Sequence, residues 1–320
     1  MRQHSLGPGT TAKRTRRREF LEEMERVVPW AELLALVSPY LPGGKRGRPP
    51  FAPETMLRIY FMQQWFSLSD PTMKEALHDM PLFRDFAGLA GWEDLLPDES
   101  TILRFRHVLE KHKLAAQILQ TLNDLLTARG LMLKSGTVVD ATLIAAPSST
   151  KNSTGSRDPE MKQNRKGQQW YFGMNCHIGV DADSGLVHTV RGTGGHVNDV
   201  VAASSLLHGQ ERDVFADAGY QEAAKRPDAR GGVSWHVAMQ PGKRQALSPN
   251  DRIDHLTEQI ERIKASIRAK VEHPFRVVKR QFGHIKVRYR GLVKNTAQLH
   301  TLFALANLWM ARRKLMGARA

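Results

Sequence analysis

The run Gly136–Ala146, GTVVDATLIAA, sets one carboxylate, Asp140, in the middle of an otherwise apolar and largely β-branched stretch. Such a run followed by turn residues is expected to be a buried strand, and an acid placed there is costly unless a partner or a cation claims it. Two later stretches carry acids in similar surroundings. VFADAGY, Val214–Tyr220, holds Asp217 at the end of a second apolar run, and AKVEHPFR, Ala269–Arg276, holds Glu272 among apolar and basic neighbours. Three acids far apart in sequence, each in an apolar setting, are the pattern expected of oxygen ligands for a hard divalent cation.

Downstream of Asp140 the pattern is one of extended segments. The first strand is expected over 133–143, and the polar stretch 147–169 reads as a long exposed loop. Strands over 170–180 and 186–191 are joined by a hairpin turn at Asp183-Ser184-Gly185. A helix over 198–208 leads to a fourth strand, 213–216, and a fifth is expected over 233–239. Ile253, Leu256, Ile260, Ile263, Ile267, Val271, Phe275, Val278 and Phe282 then recur in steps of three and four, which predicts a long amphipathic helix packed on the sheet. Pro274 removes one of its hydrogen bonds and should kink it next to Glu272. A last helix is expected over 296–314. Three strands, then helix, strand, helix, strand, helix is the order of a ribonuclease-H-like fold, an α/β (mixed α+β) sheet flanked by helices. In that topology the first and fourth strands end side by side, with the C-terminal helix next to them.

Upstream the apolar spacing is helical. A segment over 19–41 is interrupted by Pro29, and PETMLRIYFMQQW, Pro53–Trp65, carries another helical pattern. Asp70, before Pro71, reads as the cap of a helix running to about Met80. Ser100 reads as the cap of one over 101–111, and a further helix follows near 114–129. Thr101, Arg104, Arg106 and His107 lie near the start of the helix over 101–111, where a helix-turn-helix would aim them at DNA, the alternative being that Arg104 and Arg106 only solvate one face. The expected division is a basic flexible tail over 1–18, a mainly helical DNA-binding domain over 19–130 and the catalytic α/β domain over 131–320.

With 320 residues and 41% hydrophobic content, the chain has room for two cores and shows no apolar run of membrane-spanning length. No membrane partner is expected. The first residues lack a signal-peptide core and Cys176 is the single cysteine, so a reducing, cytoplasmic setting is expected, and cysteine-based zinc and internal disulfides are excluded. A net charge of +15 points to a polyanionic partner, above all nucleic acid. Arg46-Gly47-Arg48-Pro49, in a flexible basic linker, matches the core of a minor-groove-inserting AT-hook or a plain linker.

Phosphodiester cleavage needs an activated oxygen nucleophile, a stabilised phosphorus centre and a stabilised leaving oxygen. Two Mg²⁺ ions, with Mn²⁺ as a substitute, serve all three needs, and carboxylates are their natural ligands. Asp140, on what would be a central strand, is the candidate to bridge both ions. Arg268 and Lys279 flank Glu272 by four and seven residues, near one helical face, and with Arg276 and Arg280 they are candidates to hold DNA phosphates, the alternative for Arg268 and Lys279 being to pair with Glu272. Asp181 and Asp183 are expected to serve the hairpin turn, Asp199 to start a helix, and Asp158 and Glu160 to belong to the exposed loop. His196 and Asn198 remain candidates to line the site.

VVDAT at Asp140, DAGY at Asp217 and SIRAKVEHPFRVVKRQFG around Glu272 resemble the DDE transposases of bacterial insertion sequences, and the chain is similar to the IS5 family over about residues 15–313. PETMLRIYFMQQW, LPDESTILRFRH, APSSTKN, RDPEMKQ and HIGVDADSG add to the resemblance. It implies DNA cleavage and strand transfer with a divalent metal, double-stranded DNA partners (terminal inverted repeats and target DNA), and a homo-oligomer working on paired ends. The family's C-terminal signature of tyrosine, arginine, glutamate and lysine is met by Arg268, Glu272 and Lys279, with Ala265 where tyrosine is usual. The competing expectations are a transposon-derived DNA-binding protein that no longer cleaves and another ribonuclease-H-like nuclease.

Overall fold

The computed structural model describes residues 14–43, 49–91, 94–153 and 155–317. Seven helices come first: α1 (Arg16–Val27), α2 (Trp30–Val37), α3 (Pro53–Trp65), α4 (Asp70–Asp79), α5 (Pro81–Ala87), α6 (Glu99–Lys111) and α7 (Leu114–Ala128). The chain is already helical at Arg16, because Thr15 caps α1 by accepting from the Arg18 N–H, so the last residues of the expected tail belong to a helix. Pro29 separates α1 from α2 as expected. Two caps fall elsewhere than the sequence suggests. Ser69, not Asp70, caps α4, and Asp98, not Ser100, caps α6, since in each case the earlier side chain reaches the N–H three residues on.

Six strands follow: β1 (Gly136–Ala145), β2 (Lys162–Lys166), β3 (Gln169–Asp181), β4 (Val187–Gly194), β5 (Asp213–Ala216) and β6 (Ser234–Val237). They form one mixed sheet in the order β2-β3-β1-β5-β6, with β4 also on β3. β1 is antiparallel to β3 and parallel to β5, and β5 is parallel to β6. Gly185, at φ 73°, closes the β3–β4 hairpin in a left-handed conformation that suits glycine. The expected loop over 147–169 contains β2, which pairs with the start of β3. Its polar side chains hid it, because a largely solvated edge strand shows no apolar alternation. Asp158 and Glu160 are also more than loop residues: they accept the Gly291 and Leu292 N–H groups at the start of the last helix.

The remaining helices are α8 (Asp199–Ala203), α9 (Pro241–Gln245), α10 (Arg252–Arg268), α11 (Glu272–Arg276) and α12 (Leu292–Leu315). Buried residues of α1 to α7 and of the sheet share one apolar cluster, and α12 runs through it. This helix is buried on nearly every side, and most of its buried polar groups are matched, Gln298 Oε1 being an exception. Asn307 donates to Asn123 and Val187, Gln298 donates to Gln64, and Thr301 pairs with the Tyr60 hydroxyl. The long helix expected from 253 onward is instead segmented: α10, a 3-10 turn over Ala269–Val271, α11 and a π turn over Val277–Gln281. The break falls around Pro274, as expected. The apolar row of its first half does not pack on the sheet, since Ile253, Leu256, Ile260 and Ile263 are exposed. No helix among the described residues is long and apolar enough to cross a membrane.

Candidate functional site

Parallel pairing of β1 and β5 matches Gly136 with Asp213, Thr137 with Val214 and Val138 with Phe215. Two steps further the same register brings Asp140 beside Asp217, the residue that follows β5. Asp217 is held by the turn it starts, its carboxylate accepting the Gly219 N–H at 2.8 Å. Asp140 accepts the N–H of Ala141 at 2.7 Å. Glu272 opens α11 directly after the 3-10 turn that ends α10. Burial raises the Asp140 carboxyl from an ordinary 3.8 to about 7, and the negative charges of Asp217 and Glu272 push it the same way, while the Arg268 guanidinium and the Ala141 N–H oppose them. The sheet and the segmented helix therefore bring Asp217, Glu272 and Arg268 within electrostatic reach of Asp140.

Lys279, on the π turn, donates to Thr142 Oγ1 at 2.5 Å and to the Leu143 carbonyl at 3.1 Å, so its ammonium is tied to β1 just beyond Asp140. A cleft of about 530 Å³ opens there, and its lining includes Thr142, Asn175, His196, Asn198, Asp199 and Lys279. The sequence offered His196 and Asn198 as lining residues, but Asp199 only as a helix start. Asn198 is the cap of α8, accepting the Val200 N–H, and the Asp199 carboxylate lies 3.5 Å from His177 Nδ1.

Tyr220, the last residue of DAGY, was not anticipated. It is 1% exposed, its hydroxyl has no hydrogen-bond partner among the described residues, and burial together with the charges of Asp199, Asp140 and Asp217 raises its pKa. The only sequence signal was its place directly after the Asp217 turn.

The other basic candidates separate. Arg104, Arg276 and Arg280 are exposed. Arg106 is not available to DNA: it is buried, bridges Asp70 at 2.9 Å and Glu110 at 3.0 Å, and stacks its guanidinium 4.2 Å from the centre of the Tyr289 ring. Alternation of charge and apolar residues on α6 could not distinguish an inward arginine from an outward one. Arg46 and Arg48 lie outside the described residues. Asp181 serves its turn, accepting from the N–H groups of Lys134 and Ser184.

Three hard carboxylates with no cysteine or thioether among them suit an oxygen-coordinated ion such as Mg²⁺ or Mn²⁺, and the unfavourable charge at Asp140 is of the kind a cation relieves. Among the described residues, the group of three side chains whose donor atoms all lie within 4.8 Å is a different one, His188, His208 and Glu211. Asp140, Asp217 and Glu272 are spread more widely than that. The histidine group is turned in on itself. Glu211 accepts from the His208 and Gly209 N–H groups and the Thr137 hydroxyl, and His208 Nδ1 accepts the Gln210 N–H, which leaves the proton of the neutral ring on Nε2, 3.3 Å from Glu211.

The family described as Transposase DDE domain matches residues 132–308, more than half of the chain, and the Transposase domain (DUF772) matches residues 10–108. No solved structure matches.

Proposed function

The chain belongs to the DDE transposase family, and on that premise we propose that it cuts and joins DNA at the terminal inverted repeats of an insertion sequence of the IS5 type. In this reading Asp140, Asp217 and Glu272 would hold the divalent cations. The observation that carries it is the charge convergence at Asp140: a half-buried carboxyl raised to about 7 with two further acids as contributing causes. Bound there, Mg²⁺ or Mn²⁺ lowers the pKa of the attacking water or hydroxyl and holds the departing oxygen.

The chain's own groups set the geometry. β1 carries Asp140, the turn after β5 carries Asp217, and Glu272 opens α11 within electrostatic reach of Asp140. Arg268 and Lys279 bind phosphate oxygens on either side of the acids; Lys279 is pre-positioned by Thr142 and Leu143, which lowers the entropy lost on binding. Arg104, Arg276, Arg280 and the linker arginines Arg46 and Arg48 extend the contact along duplex DNA. The helical segment over 19–130 serves as the end-binding domain and the segment over 131–320 as the catalytic one.

The test is cleavage of DNA carrying the element's ends in Mg²⁺. Asp140→Asn, Asp217→Asn and Glu272→Gln are each expected to abolish strand cleavage while end binding persists. Wild-type protein that binds ends but cannot cut them would favour the inactive DNA-binding reading. Cleavage without preference for ends would favour a general nuclease.

A further inference from the structure

Residues 253, 256, 260, 263 and 267 follow one another in steps of three, four, three and four, the repeat of a coiled-coil seam with isoleucine at one set of positions and leucine or isoleucine at the other. The inner end of this row is covered: Ile267 packs against the main core. Beyond it, Ile263, Ile260, Leu256 and Ile253 are 61%, 53%, 51% and 73% exposed. α10 is nevertheless firmly held, through another face. Buried Glu261 accepts the Met239 N–H at 2.9 Å, Lys264 reaches Glu261 at 2.8 Å and the Val237 carbonyl at 3.2 Å, and Glu258 pairs with Arg244 at 2.8 Å. The helix is thus docked by its polar face and turns its apolar row to the outside.

We propose that this row is a self-association surface and that its occupant is α10 of a second copy of the chain. An antiparallel pairing about a two-fold axis sets position 253 of one copy against 263 of the other and 256 against 260, so all four exposed aliphatic residues are used twice. The flanks fit the same arrangement. Gln259 and Thr257 meet their own counterparts near the axis and Arg252 passes Ser266, so no like charges face each other although each chain carries +15. DNA is not a fitting occupant, because four aliphatic side chains offer nothing to phosphate.

A 17-residue helix is about 25 Å long, and four side chains along it cover less than the roughly 800 Å² per partner of a standard interface. The pair is therefore weak alone and tightens when DNA holds two copies together. α10 ends at Arg268, one 3-10 turn before Glu272, so the seam is joined directly to the acidic site. Self-association does not depend on the cleavage reading; only its link to paired DNA ends does.

Sedimentation of the full chain without DNA should show mass rising with concentration from 36.0 kDa toward twice that value. Ile260→Asp should weaken association by about a hundredfold, because the pair would bury an uncompensated charge, with an unchanged melting temperature, since position 260 is exposed in the single chain. Cys176 is buried, so Gln259→Cys supplies the one exposed thiol, and mild oxidation should join two copies through it. A chain that stays at monomer mass at every concentration and on DNA bearing two ends overturns the proposal, as does an Ile260→Asp chain that associates like wild type. A dimer that Gln259→Cys cannot cross-link overturns the antiparallel seam. Wild-type protein that dimerises but does not cut DNA would leave this inference standing and remove the other.

Discussion

Thr137 and Asp140 stand three residues apart on β1 and point to opposite faces of the sheet, and the two faces treat a carboxylate in opposite ways. On the Thr137 face, Glu211 is buried but satisfied by two backbone N–H groups and a hydroxyl, beside two neutral histidines. On the other, Asp140 has one N–H from its own neighbour and is surrounded by low-dielectric protein and two more acids. In the first arrangement Glu211 is paired within the fold, although the buried His208 Nε2 beside it has no hydrogen-bond partner among the described residues. In the second the charged form of the carboxyl is disfavoured.

The sharpest way to break this contrast is to neutralise each acid. Asp140→Asn should reduce cleavage about a thousandfold or more, with melting temperature held or raised, since a destabilising charge is removed. Cleavage within tenfold of wild type, in a gel assay on end DNA, would dissolve the distinction. Glu211→Ala should do the reverse. It strands the His208 and Gly209 N–H groups and should cost about 2–4 kcal/mol in denaturant unfolding, while cleavage per folded molecule persists.

The two faces should also respond to pH with opposite slopes. In metal-free protein the folded Asp140 keeps a proton between its ordinary 3.8 and about 7 that the unfolded chain has lost, so its contribution to stability falls as pH rises through that window. Burial lowers His188 from 6.5 to about 3, so there the unfolded chain binds the extra proton and stability rises with pH between those values. Melting temperatures of wild type, Asp140→Asn and His188→Gln across pH 4–8 separate the terms. Asp140→Asn should lack the falling component, and Mg²⁺ should restore stability at the alkaline end only when Asp140 is present. A wild-type and Asp140→Asn difference that is flat in pH would refute the assignment.

The smallest expected effect is at Lys279. Lys279→Ala removes a phosphate-binding ammonium tied to β1 and should slow cleavage about tenfold and make end binding less salt-dependent, with little change in unfolding. A larger loss of stability than of cleavage would move Lys279 to the structural side of the comparison.

Much of this was legible before any coordinates. Turn chemistry and apolar runs placed β3, β4 and β5, and Pro274 announced the break beside Glu272, because these depend on backbone preferences of a few neighbouring residues. The three acids were identifiable because a charge in an apolar run is locally anomalous. Burial of Arg106, the capping of α12 by Asp158 and Glu160, and the part of Tyr220 and Asp199 beside the acids were not, since each depends on a residue distant in sequence.

The sequence by itself therefore marked the three acids as candidates, placed β1 and β3 to β6 and showed the apolar row on α10, but it missed β2 and expected a helix between β5 and β6 where the described residues form 3-10 turns. Only the tertiary structure decided which face of each element meets another. That decision buried α12 on nearly all sides and left Ile253 to Ile263 bare, although both helices carry comparable aliphatic content. Helical spacing records that a face is apolar, but not what covers it, because burial is a relation between elements and periodicity a property of one.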